Sequence, residues 1–288
     1  MRIVVVGKNS YIGEHVKTYL QKFGHTVVEL DTIGEEFKTF DYTKTDVVIH
    51  VAAIVHEDAK NASKSVFYKV NTQLPFLVAN YAKKAGVSLF IFMSSMAVYG
   101  CEKSLPNGTV ITADTPLNPI SLYGRSKLEA ENALRGLNDN AFRVAIVRPP
   151  NVYGKDCKGN YMSSFKKLVT TLPVFPKVFL ESRQSMLYID NLSELIRLII
   201  NNNADGIYTP QDDYVPNTCD LIDNISKALR HKKKISAFLG VFIKPFSFIS
   251  IIKKLYGGIS YSLDISCCFN GEYQLVSFKD GLMQTFSN

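Results

Sequence analysis

The residues of this sequence whose types and spacing best suit catalysis are Tyr123 and Lys127, which lie four positions apart. On a helix this spacing puts both side chains on one face, where the ammonium of Lys127 would favour the phenolate of Tyr123. A phenol has an unperturbed pKa of about 10 and needs such help to exchange a proton near neutral pH. Ser95, which follows an apolar run upstream, can hydrogen-bond the same substrate oxygen. The three side chains suit proton transfer at a sugar hydroxyl while a hydride leaves or arrives at the carbon that bears it.

The start of the chain strengthens this interpretation, because Tyr and Lys are common and the pair alone is typical of a solvated helix face. Residues 2–6 are a β-branched run that ends at Gly7, and residues 8–13 lead into a helical pattern. This order predicts a strand, a tight turn and a helix N-terminus, which offers N–H groups and a positive dipole end to a pyrophosphate. Residues 27–30 predict a second strand. Asp31 follows it, about 20 residues beyond the loop, where the ribose hydroxyls of a dinucleotide would be held.

Two further apolar runs, residues 47–53 and 89–94, predict strands. A brief strand is also expected over residues 37–40, because the stretch between Asp31 and Val47 is too short for a strand and a helix. Strands that alternate with helices predict an α/β fold with a parallel sheet.

In this order and spacing, the segments resemble an extended short-chain dehydrogenase/reductase of the nucleotide-sugar epimerase, dehydratase and reductase group. The resemblance covers most of the chain, and each motif alone would be only suggestive. It implies a Rossmann-type doubly wound parallel sheet, bound NAD(H) or NADP(H), and a smaller C-terminal substrate-binding lobe. The residues that carry it are Gly7 to Gly13, Asp31, residues 50–53, Asn71, residues 94–100, residues 123–127, residues 148–154, and Arg183 with Tyr188, Ile189 and Asp190.

The resemblance also implies a set of cofactor-binding residues. Ser10 stands where the family usually has the middle glycine of its G-x-x-G-x-x-G loop, and we interpret it as a tolerated small residue that can donate its hydroxyl to the pyrophosphate. Asp31 favours NAD, because its charge repels the 2′-phosphate of NADP, whereas Lys8 in the loop would help to hold that phosphate. Asp41 is expected at the adenine. The full expected set is Gly7, Ser10, Tyr11, Ile12, Gly13, Asp31, Asp41, Ala52, Ala53, Asn71, Tyr123 and Lys127.

On the substrate side, the resemblance implies a nucleotide-sugar, and a UDP-linked one is expected. Asn151 resembles the family asparagine that hydrogen-bonds this substrate, and Arg183 resembles the arginine that clamps its diphosphate. Arginine suits this task, since its planar fork binds phosphate oxygens in pairs. Lys158 and Asn160 are weaker candidates for the same pocket, which Ser95 also lines. The alternatives are a turn-capping role for Asn151 and a solvent-facing Lys158.

The residues after Ser95 narrow the reaction. Sugar dehydratases of this family carry an Asp-Glu pair there, because elimination of water needs its own acid and base. Met96 and Ala97 occupy these positions and disfavour a dehydratase. Two alternatives stay open: a C4 epimerase, which retains its cofactor, and a 4-keto reductase, which consumes NAD(P)H. Both would use Ser95, Tyr123 and Lys127. The chain resembles bacterial enzymes that act on UDP-hexose or UDP-N-acetylhexosamine derivatives for surface polysaccharides. The alternative is a non-catalytic NAD(P)-binding regulatory or scaffold protein, which the retention of Tyr123 and Lys127 disfavours.

The composition fits one α/β domain with an additional lobe. The chain has 288 residues, of which 46% are hydrophobic and 20% charged, so it can build a large core. We expect an NAD(P)-binding domain over residues 1–155, to which residues of about 180–205 return, and a mainly substrate-binding lobe over residues 156–288. A homodimer is compatible with the resemblance.

Charge and cysteine content exclude several classes. The net charge is +7 and the pI about 9.0, but the basic cluster of residues 231–234 has no interleaved aromatic residues, which disfavours nucleic acid. The excess positive charge also suits doubly anionic ligands. Five cysteines without a C-x-x-C pattern disfavour a disulfide framework or a zinc site, so no metal is expected. The chain opens on a strand without a signal-peptide pattern, so a cytoplasmic location is expected.

Residues 238–252 are rich in Phe and Ile, with lysines at both ends. The run is too short to cross a bilayer, which takes about 20 apolar residues, and it contains Lys244 and Pro245. We expect a helix that packs in the C-terminal lobe, and membrane contact is not expected. The alternative is a peripheral contact with anionic lipid headgroups.

Overall fold

The computed structural model describes residues 1–32, 35–55, 63–157 and 160–287, with only the backbone described at Asn160. The strands of these segments are β1 (Arg2–Val6), β2 (Thr26–Leu30), β3 (Val47–His50), β4 (Leu89–Met93), β5 (Thr109–Ile111), β6 (Arg143–Val147), β7 (Asn151–Tyr153), β8 (Val174–Pro176), β9 (Met186–Tyr188), β10 (Gly206–Tyr208), β11 (Lys234–Ser236) and β12 (Ile259–Tyr261). The α-helices are α1 (Tyr11–Gln21), α2 (Lys64–Phe67), α3 (Leu74–Lys84), α4 (Leu122–Arg135), α5 (Asn160–Thr171), α6 (Ile189–Asn201), α7 (Thr218–Ala228), α8 (Ala237–Ile243), α9 (Ser250–Tyr256), α10 (Leu263–Ser266) and α11 (Phe278–Phe286).

A parallel sheet of six strands, in the order β10-β6-β4-β3-β1-β2, forms the centre of the fold. The chain passes from β1 outward to β2 and then returns to the other side of β1 with β3. This reversal leaves a crevice at the carboxyl ends of β1 and β3, which is where doubly wound sheets bind ligands. The predicted Rossmann-type fold is confirmed.

Helices cover both faces of this sheet. Along β1, Ile3 and Val5 belong to one apolar cluster, and Val4 and Val6 belong to another, as the alternation of side chains along a strand requires. Helices α1 and α6 pack on the first face, and α3 and α4 pack on the second. Burial on both faces explains why these strands are continuous apolar runs in the sequence.

The predicted strand over residues 37–40 is wrong. A short 3₁₀ helix (Glu36–Lys38) lies there, with Phe37 buried in the second apolar cluster. Tyr42 donates a hydrogen bond from its hydroxyl to the carbonyl of Phe37 at 3.1 Å, so the segment forms a compact turn against the sheet. The third strand also ends at His50, earlier than predicted, because the N–H groups of residues 51 and 52 both bond to the carbonyl of Val6.

The remaining strands form three parallel pairs, β11 with β8, β12 with β5, and β7 with β9. Segments from the second half of the sequence pack on the first half: α6 packs on α1, and β10 pairs with β6. Conversely, β5 lies outside the central sheet and pairs with β12. The predicted division at residue 155 stays a prediction.

The apolar stretch of residues 238–252 does not form the single packed helix that we expected. It comprises α8, a 3₁₀ turn (Lys244–Phe246) and the start of α9, and most of its large apolar side chains are exposed. Within the described ranges, none of the helices has the length and apolarity needed to cross a membrane.

A buried ion pair connects three elements beside the sheet's carboxyl edge. Arg148 donates from Nη2 and Nε to the two carboxylate oxygens of Glu131, at 2.6 and 3.0 Å. The hydroxyl of Ser94 donates to the same carboxylate at 2.5 Å, and Nη1 of Arg148 donates to the hydroxyl of Tyr99 at 2.9 Å. The ionic groups are 5% and 0% exposed. Removing Arg148 would leave the buried carboxylate with only the partly exposed Arg135, at 3.5 Å, as a cationic partner.

We therefore expect Arg148→Ala to lower the free energy of unfolding by about 3–5 kcal/mol, measured by urea denaturation. In the double variant with Glu131→Leu, the loss should be clearly smaller than the sum of the two single losses, because no unpaired charge remains. Lys227→Ala is the matched control: its pair with Asp223 is exposed and should contribute less than about 1 kcal/mol. Additive losses at Arg148 and Glu131 would contradict this account.

Candidate active site

The turn between β1 and α1 has the geometry of a phosphate-binding loop. Gly7 has a φ of 122°, and a Cβ there would lie 2.8 Å from the backbone nitrogen of Ala52. Ser10 is the N-cap residue of α1, and its Oγ accepts a hydrogen bond from the N–H of Gly13 at 3.1 Å. A Cβ on Gly13 would lie 2.5 Å from this Oγ. The serine thus fits the turn as a helix cap, and the cap requires glycine at position 13.

Tyr11 and Ile12 open the first turn of α1, which is where a helix offers N–H donors and positive partial charge. The hydroxyl of Tyr11 is buried and has no hydrogen-bond partner among the described residues. Burial raises the pKa of Tyr11 well above its usual range, and nearby Cys157 adds to the effect. A Cβ on Gly154 would lie 2.5 Å from this hydroxyl, so β7 and the turn that follows it approach α1 closely.

The two aspartates predicted for the cofactor lie in different surroundings. Asp31 directly follows β2, and the carbonyl of its neighbour Leu30 accepts a hydrogen bond from the N–H of Gly7 at 3.0 Å. The structure therefore places Asp31 beside the loop. Asp41 is exposed, and hydrogen bonds from the hydroxyl and N–H of Thr43, at 2.6 and 3.0 Å, hold the pKa of its carboxyl below the usual value. Contact of Asp41 with an adenine stays a prediction.

Asn71 is buried within a π-helical turn, Tyr68–Gln73. Its Oδ1 accepts from the N–H of Ile54 at 2.8 Å, and its Nδ2 donates to the carbonyl of Ile54 at 3.0 Å and to Oγ of Ser126 at 3.1 Å. The amide group therefore joins the loop after β3 to α4. Contact of Asn71 with the cofactor stays a prediction.

Ser95 and Tyr123 approach each other where α4 begins. The Oγ of Ser95 accepts from the N–H of Ala97 at 3.2 Å and caps the 3₁₀ turn that follows β4. A Cβ on Gly124 would lie 2.5 Å from the carbonyl of Ala97, so only glycine lets α4 pack this closely. Burial raises the pKa of Tyr123 to about 12, and the hydrogen bond between the side chains of Ser95 and Tyr123 opposes this shift.

Lys127 lies on the same helix face as Tyr123, as its spacing predicts. Its Nζ donates to the carbonyl of Met93 at 2.7 Å and lies 5.9 Å from the centre of the Tyr123 ring. Burial lowers the pKa of Lys127 to about 7, although the negative charge of Glu131 opposes the shift. With its pKa lowered in this way, Lys127 does not lower the pKa of Tyr123. Its hydrogen bond to the carbonyl of Met93 attaches α4 to the end of β4.

About half of the predicted residues meet in one cleft of about 510 Å³. Eight of them line it: Ser10, Tyr11, Ile12, Ala53, Ser95, Tyr123, Lys127 and Asn151. A neighbouring cavity of about 370 Å³ shares Ser95 and Asn151 and adds Met96, Ala97 and Gln184. The two cavities together therefore extend from the β1–α1 turn, past Ser95, Tyr123 and Lys127, to Met96 and Ala97.

The substrate-side predictions have different outcomes. Asn151 lies between the two cavities at the start of β7. Lys158 lies outside the described residues, and the side chain of Asn160 is not described. Arg183 does not line the cleft: its Nη1 donates to the carbonyl of Val215 at 3.0 Å. Diphosphate binding by Arg183 stays a prediction.

The cleft also includes residues that no motif marked. They include Val55, Met93, Cys157, Tyr161 and Met162 in the main cavity, and Gln184 in the second. Tyr161 and Met162 lie in the first turn of α5, and their local sequence does not distinguish them from ordinary core residues. Gln184 directly follows Arg183, so the family arginine position was the nearest available signal.

Comparison with known proteins gives one family match and several similar proteins. The sequence model of the NAD dependent epimerase/dehydratase family matches residues 3–208. A UDP-glucose 4-epimerase of Vibrio cholerae is 33% identical over 190 residues, which are 64% of this chain and 57% of that protein. The chain therefore spans little more than half the length of this relative.

Two further relatives cover more of the chain. The N-acetyl-alpha-D-glucosaminyl-diphospho-ditrans,octacis-undecaprenol 4-epimerase of Escherichia coli O157:H7 is 27% identical over 250 residues, 80% of this chain and 73% of that protein. The solved structure of a UDP-glucuronic acid 4-epimerase from Bacillus cereus in complex with NAD superimposes with a TM-score of 0.73 at 19% identity, over 99% of this chain and 96% of that chain. The second likeness supports the fold.

The lowered pKa of Lys127 predicts how stability depends on pH. The unfolded chain keeps an ordinary lysine, so between pH 7 and about 10 it binds a proton that the folded state lacks. The free energy of unfolding should therefore rise from pH 7.5 to 9.5, by up to about 1.4 kcal/mol per pH unit. Denaturation of Lys127→Met should lack this rise, whereas the exposed Lys84→Met should retain it. A rise that survives in Lys127→Met would refute the assignment.

Proposed function

The chain belongs to the NAD dependent epimerase/dehydratase family, and we propose that it oxidises and re-reduces C4 of a hexose carried on a diphosphate. One observation carries this proposal: Ser95, Tyr123 and Lys127 line the same cleft as the phosphate loop at Ser10 to Ile12. A redox cofactor held at the loop and a sugar at the trio would therefore meet within one cavity.

The residues around the loop fit a dinucleotide. Gly7 and Gly13 lie where added side chains would meet backbone or the Ser10 hydroxyl, and the first turn of α1 offers donors for a pyrophosphate. Asp31 is placed to accept from ribose hydroxyls. We infer that NAD is the cofactor, and that when bound it supplies the acceptor and donor of the hydride.

Tyr123 is the residue that would exchange a proton with the C4 oxygen. With its pKa raised to about 12, the phenol is protonated at neutral pH and must first release its proton. The phenolate would then accept the proton of the C4 hydroxyl as the hydride leaves, and the phenol would return it as the alcohol re-forms. Ser95 hydrogen-bonds the phenol and would hold the same substrate oxygen. Lys127 keeps α4 against the end of β4 through its hydrogen bond to the carbonyl of Met93, and its Nζ lies 5.9 Å from the centre of the Tyr123 ring.

The substrate class follows from the chemistry shared by the relatives and the cleft. Both 4-epimerases named above act on a sugar diphosphate by their names, one linked to uridine and the other to a lipid. We propose a UDP-linked hexose or N-acetylhexosamine that contacts Asn151, with Lys158, Asn160 and Arg183 as diphosphate or sugar contacts. A cytoplasmic location and a role in surface polysaccharide synthesis belong to the same proposal.

A lipid diphosphate sugar is the second candidate substrate, and one observation favours it. An apolar groove of about 780 Å³ lies between α5 and α9, lined by Phe165, Leu168, Leu255 and Tyr161 among others. Tyr161 also lines the catalytic cleft. We call this cavity the α5–α9 groove. It would give a hydrocarbon chain an apolar surface next to the cleft, with Tyr161 between the two cavities.

The first experiment tests catalysis. Tyr123→Phe should lower kcat by about 10²-fold or more with little change in substrate affinity, because it removes only the transferable proton. Turnover of UDP-glucose, UDP-N-acetylglucosamine, a UDP-linked 4-keto hexose and a lipid-linked N-acetylglucosamine diphosphate is measured with and without added NADH. Tyr81→Phe, an exposed tyrosine outside the cleft, is the matched control and should behave as wild type.

Each outcome of this experiment has a distinct meaning. Interconversion at C4 without added NADH supports the epimerase, whereas consumption of NADH with a 4-keto sugar would indicate the reductase. Near-normal turnover by Tyr123→Phe would remove that residue from the mechanism. NAD binding without turnover of UDP-linked or lipid-linked sugars would favour a regulatory or scaffold protein.

The second experiment tests cofactor choice. NAD should bind more tightly than NADP, and Asp31→Asn should weaken NAD binding by about tenfold or more, because hydrogen bonds to a charged acceptor are lost. NADP should gain relative to NAD in this variant, since the repelling charge is gone. Titration of both cofactors measures this. Asp41→Asn is the matched control: an equal loss of NAD affinity there would assign the adenine contact to Asp41, and tighter NADP binding by the wild type would overturn the choice of NAD.

A further inference from the structure

The surface with the most unexplained apolar exposure lies between residues 238 and 251. Eight large apolar side chains are exposed within these 14 positions, and Phe238, Val241, Phe248 and Ile251 are each about 70% exposed or more. A contiguous exposed apolar patch on a monomer usually marks a surface that binds something. We call this surface the 238–251 face; its exposed apolar residues are Phe238, Leu239, Val241, Phe242, Phe246, Phe248, Ile249 and Ile251.

The fold fixes this face firmly. In α8, Gly240 packs against the backbone of Lys177, so the glycine side of the helix faces inward and its phenylalanines face outward. Ser236 caps α8 by accepting from the N–H of Leu239 at 3.3 Å. In α9, Tyr256 is buried and donates its hydroxyl to the carbonyl of Pro176 at 3.0 Å. The apolar side chains are therefore presented by anchored helices.

The charged side chains of the segment that forms the face are of one sign. Residues 231–254 contain six lysines and no Asp or Glu. Lys232, Lys234, Lys244 and Lys254 are exposed, and Lys253 has a distant partner in Glu102 at 3.7 Å. Aromatic and aliphatic side chains beside lysines are the pattern of helices that lie in the interface of an anionic membrane.

We propose that the 238–251 face binds the surface of a bilayer that contains anionic phospholipid. The phenylalanines would enter the boundary between headgroups and acyl chains, and the lysines would contact headgroup phosphates. A second copy of the chain fits less well, because a twofold contact through this face would bring two sets of lysines together without compensating acids.

The α5–α9 groove opens at the same face, since Ile251 and Lys254 contribute to its lining. Because Tyr161 lines both this groove and the catalytic cleft, docking through the 238–251 face would bring the cleft close to the membrane surface. Membrane binding by this face requires neither the UDP-linked nor the lipid-linked substrate proposed above. It also requires no catalytic turnover.

Sedimentation of the full chain with lipid vesicles tests the proposal. Vesicles of phosphatidylglycerol mixed with phosphatidylcholine should bind the protein, and vesicles of phosphatidylcholine alone should bind it much less. Phe242→Ser with Phe248→Ser should weaken binding by at least about tenfold, because each phenylalanine buries a large apolar area in the interface. Lys244→Gln with Lys254→Gln should weaken it by roughly fivefold per charge, and added salt should weaken it as well.

Matched control variants test whether the loss of vesicle binding is specific to the 238–251 face. Phe23→Ser with Phe76→Ser changes two exposed phenylalanines elsewhere, and Lys84→Gln with Lys279→Gln changes two exposed lysines elsewhere. Both controls should bind vesicles as wild type does. Tyr123→Phe should also bind normally, so that failure of the proposed reaction and failure of docking can be told apart.

Three results would overturn the proposal. The first is unchanged vesicle binding by the Phe242 and Phe248 variant, and the second is equal binding to charged and uncharged vesicles. The third is a loss of mass for that variant in sedimentation velocity without vesicles, which would assign the face to contact between copies of the chain.

Discussion

Three segments that approach the cleft are joined at one buried carboxylate, that of Glu131. It accepts hydrogen bonds from Ser94 and from two nitrogens of Arg148. Ser94 directly precedes Ser95, Glu131 lies one helical turn after Lys127, and Arg148 lies three positions before Asn151. A displacement of the carboxylate would therefore move both catalytic side chains and the substrate-side strand together. A buried ion pair stabilises a protein little compared with an apolar replacement, but it fixes relative positions, which is what a reaction between three segments needs.

The sequence predicted the parts of the fold that depend on local pattern. The parallel strands are apolar runs because both faces of the sheet are covered, and the phosphate loop is marked by Gly7 and Gly13. The short 3₁₀ helix at Glu36–Lys38 was not predictable in the same way, because a β-branched or aromatic pattern of four residues fits a turn as well as a strand. The exposure of the 238–251 face was also hidden, since an apolar run in a sequence does not say which side lies against the core.

The candidate site also has features that the sequence predicted and features that it did not. Ser95, Tyr123, Lys127 and Asn151 could be found from motif order, and they share one cleft. The pKa values of Tyr123 and Lys127 could not be predicted from the sequence, because they depend on burial and on neighbours distant in sequence. Spacing suggested an ammonium that acidifies the phenol, whereas burial raises the pKa of Tyr123 to about 12 and lowers that of Lys127 to about 7. Likewise, the hydrogen bonds of Asn71 with Ile54 and Ser126 could not be predicted from the sequence.

The pairing of β5 with β12 affects the order in which the protein can form during its synthesis. These strands are far apart in the sequence, and the hydroxyl of Tyr261 in β12 donates to the carbonyl of Arg148, next to the buried carboxylate. Pairings of such long sequence separation form late, because the entropy of closing the intervening chain opposes them. While the ribosome extends the chain, β1 to β4 can assemble early, but the second cavity, to whose lining Ile259 contributes, must wait for β12. A nascent chain would thus acquire its dinucleotide-binding half before the second cavity is complete.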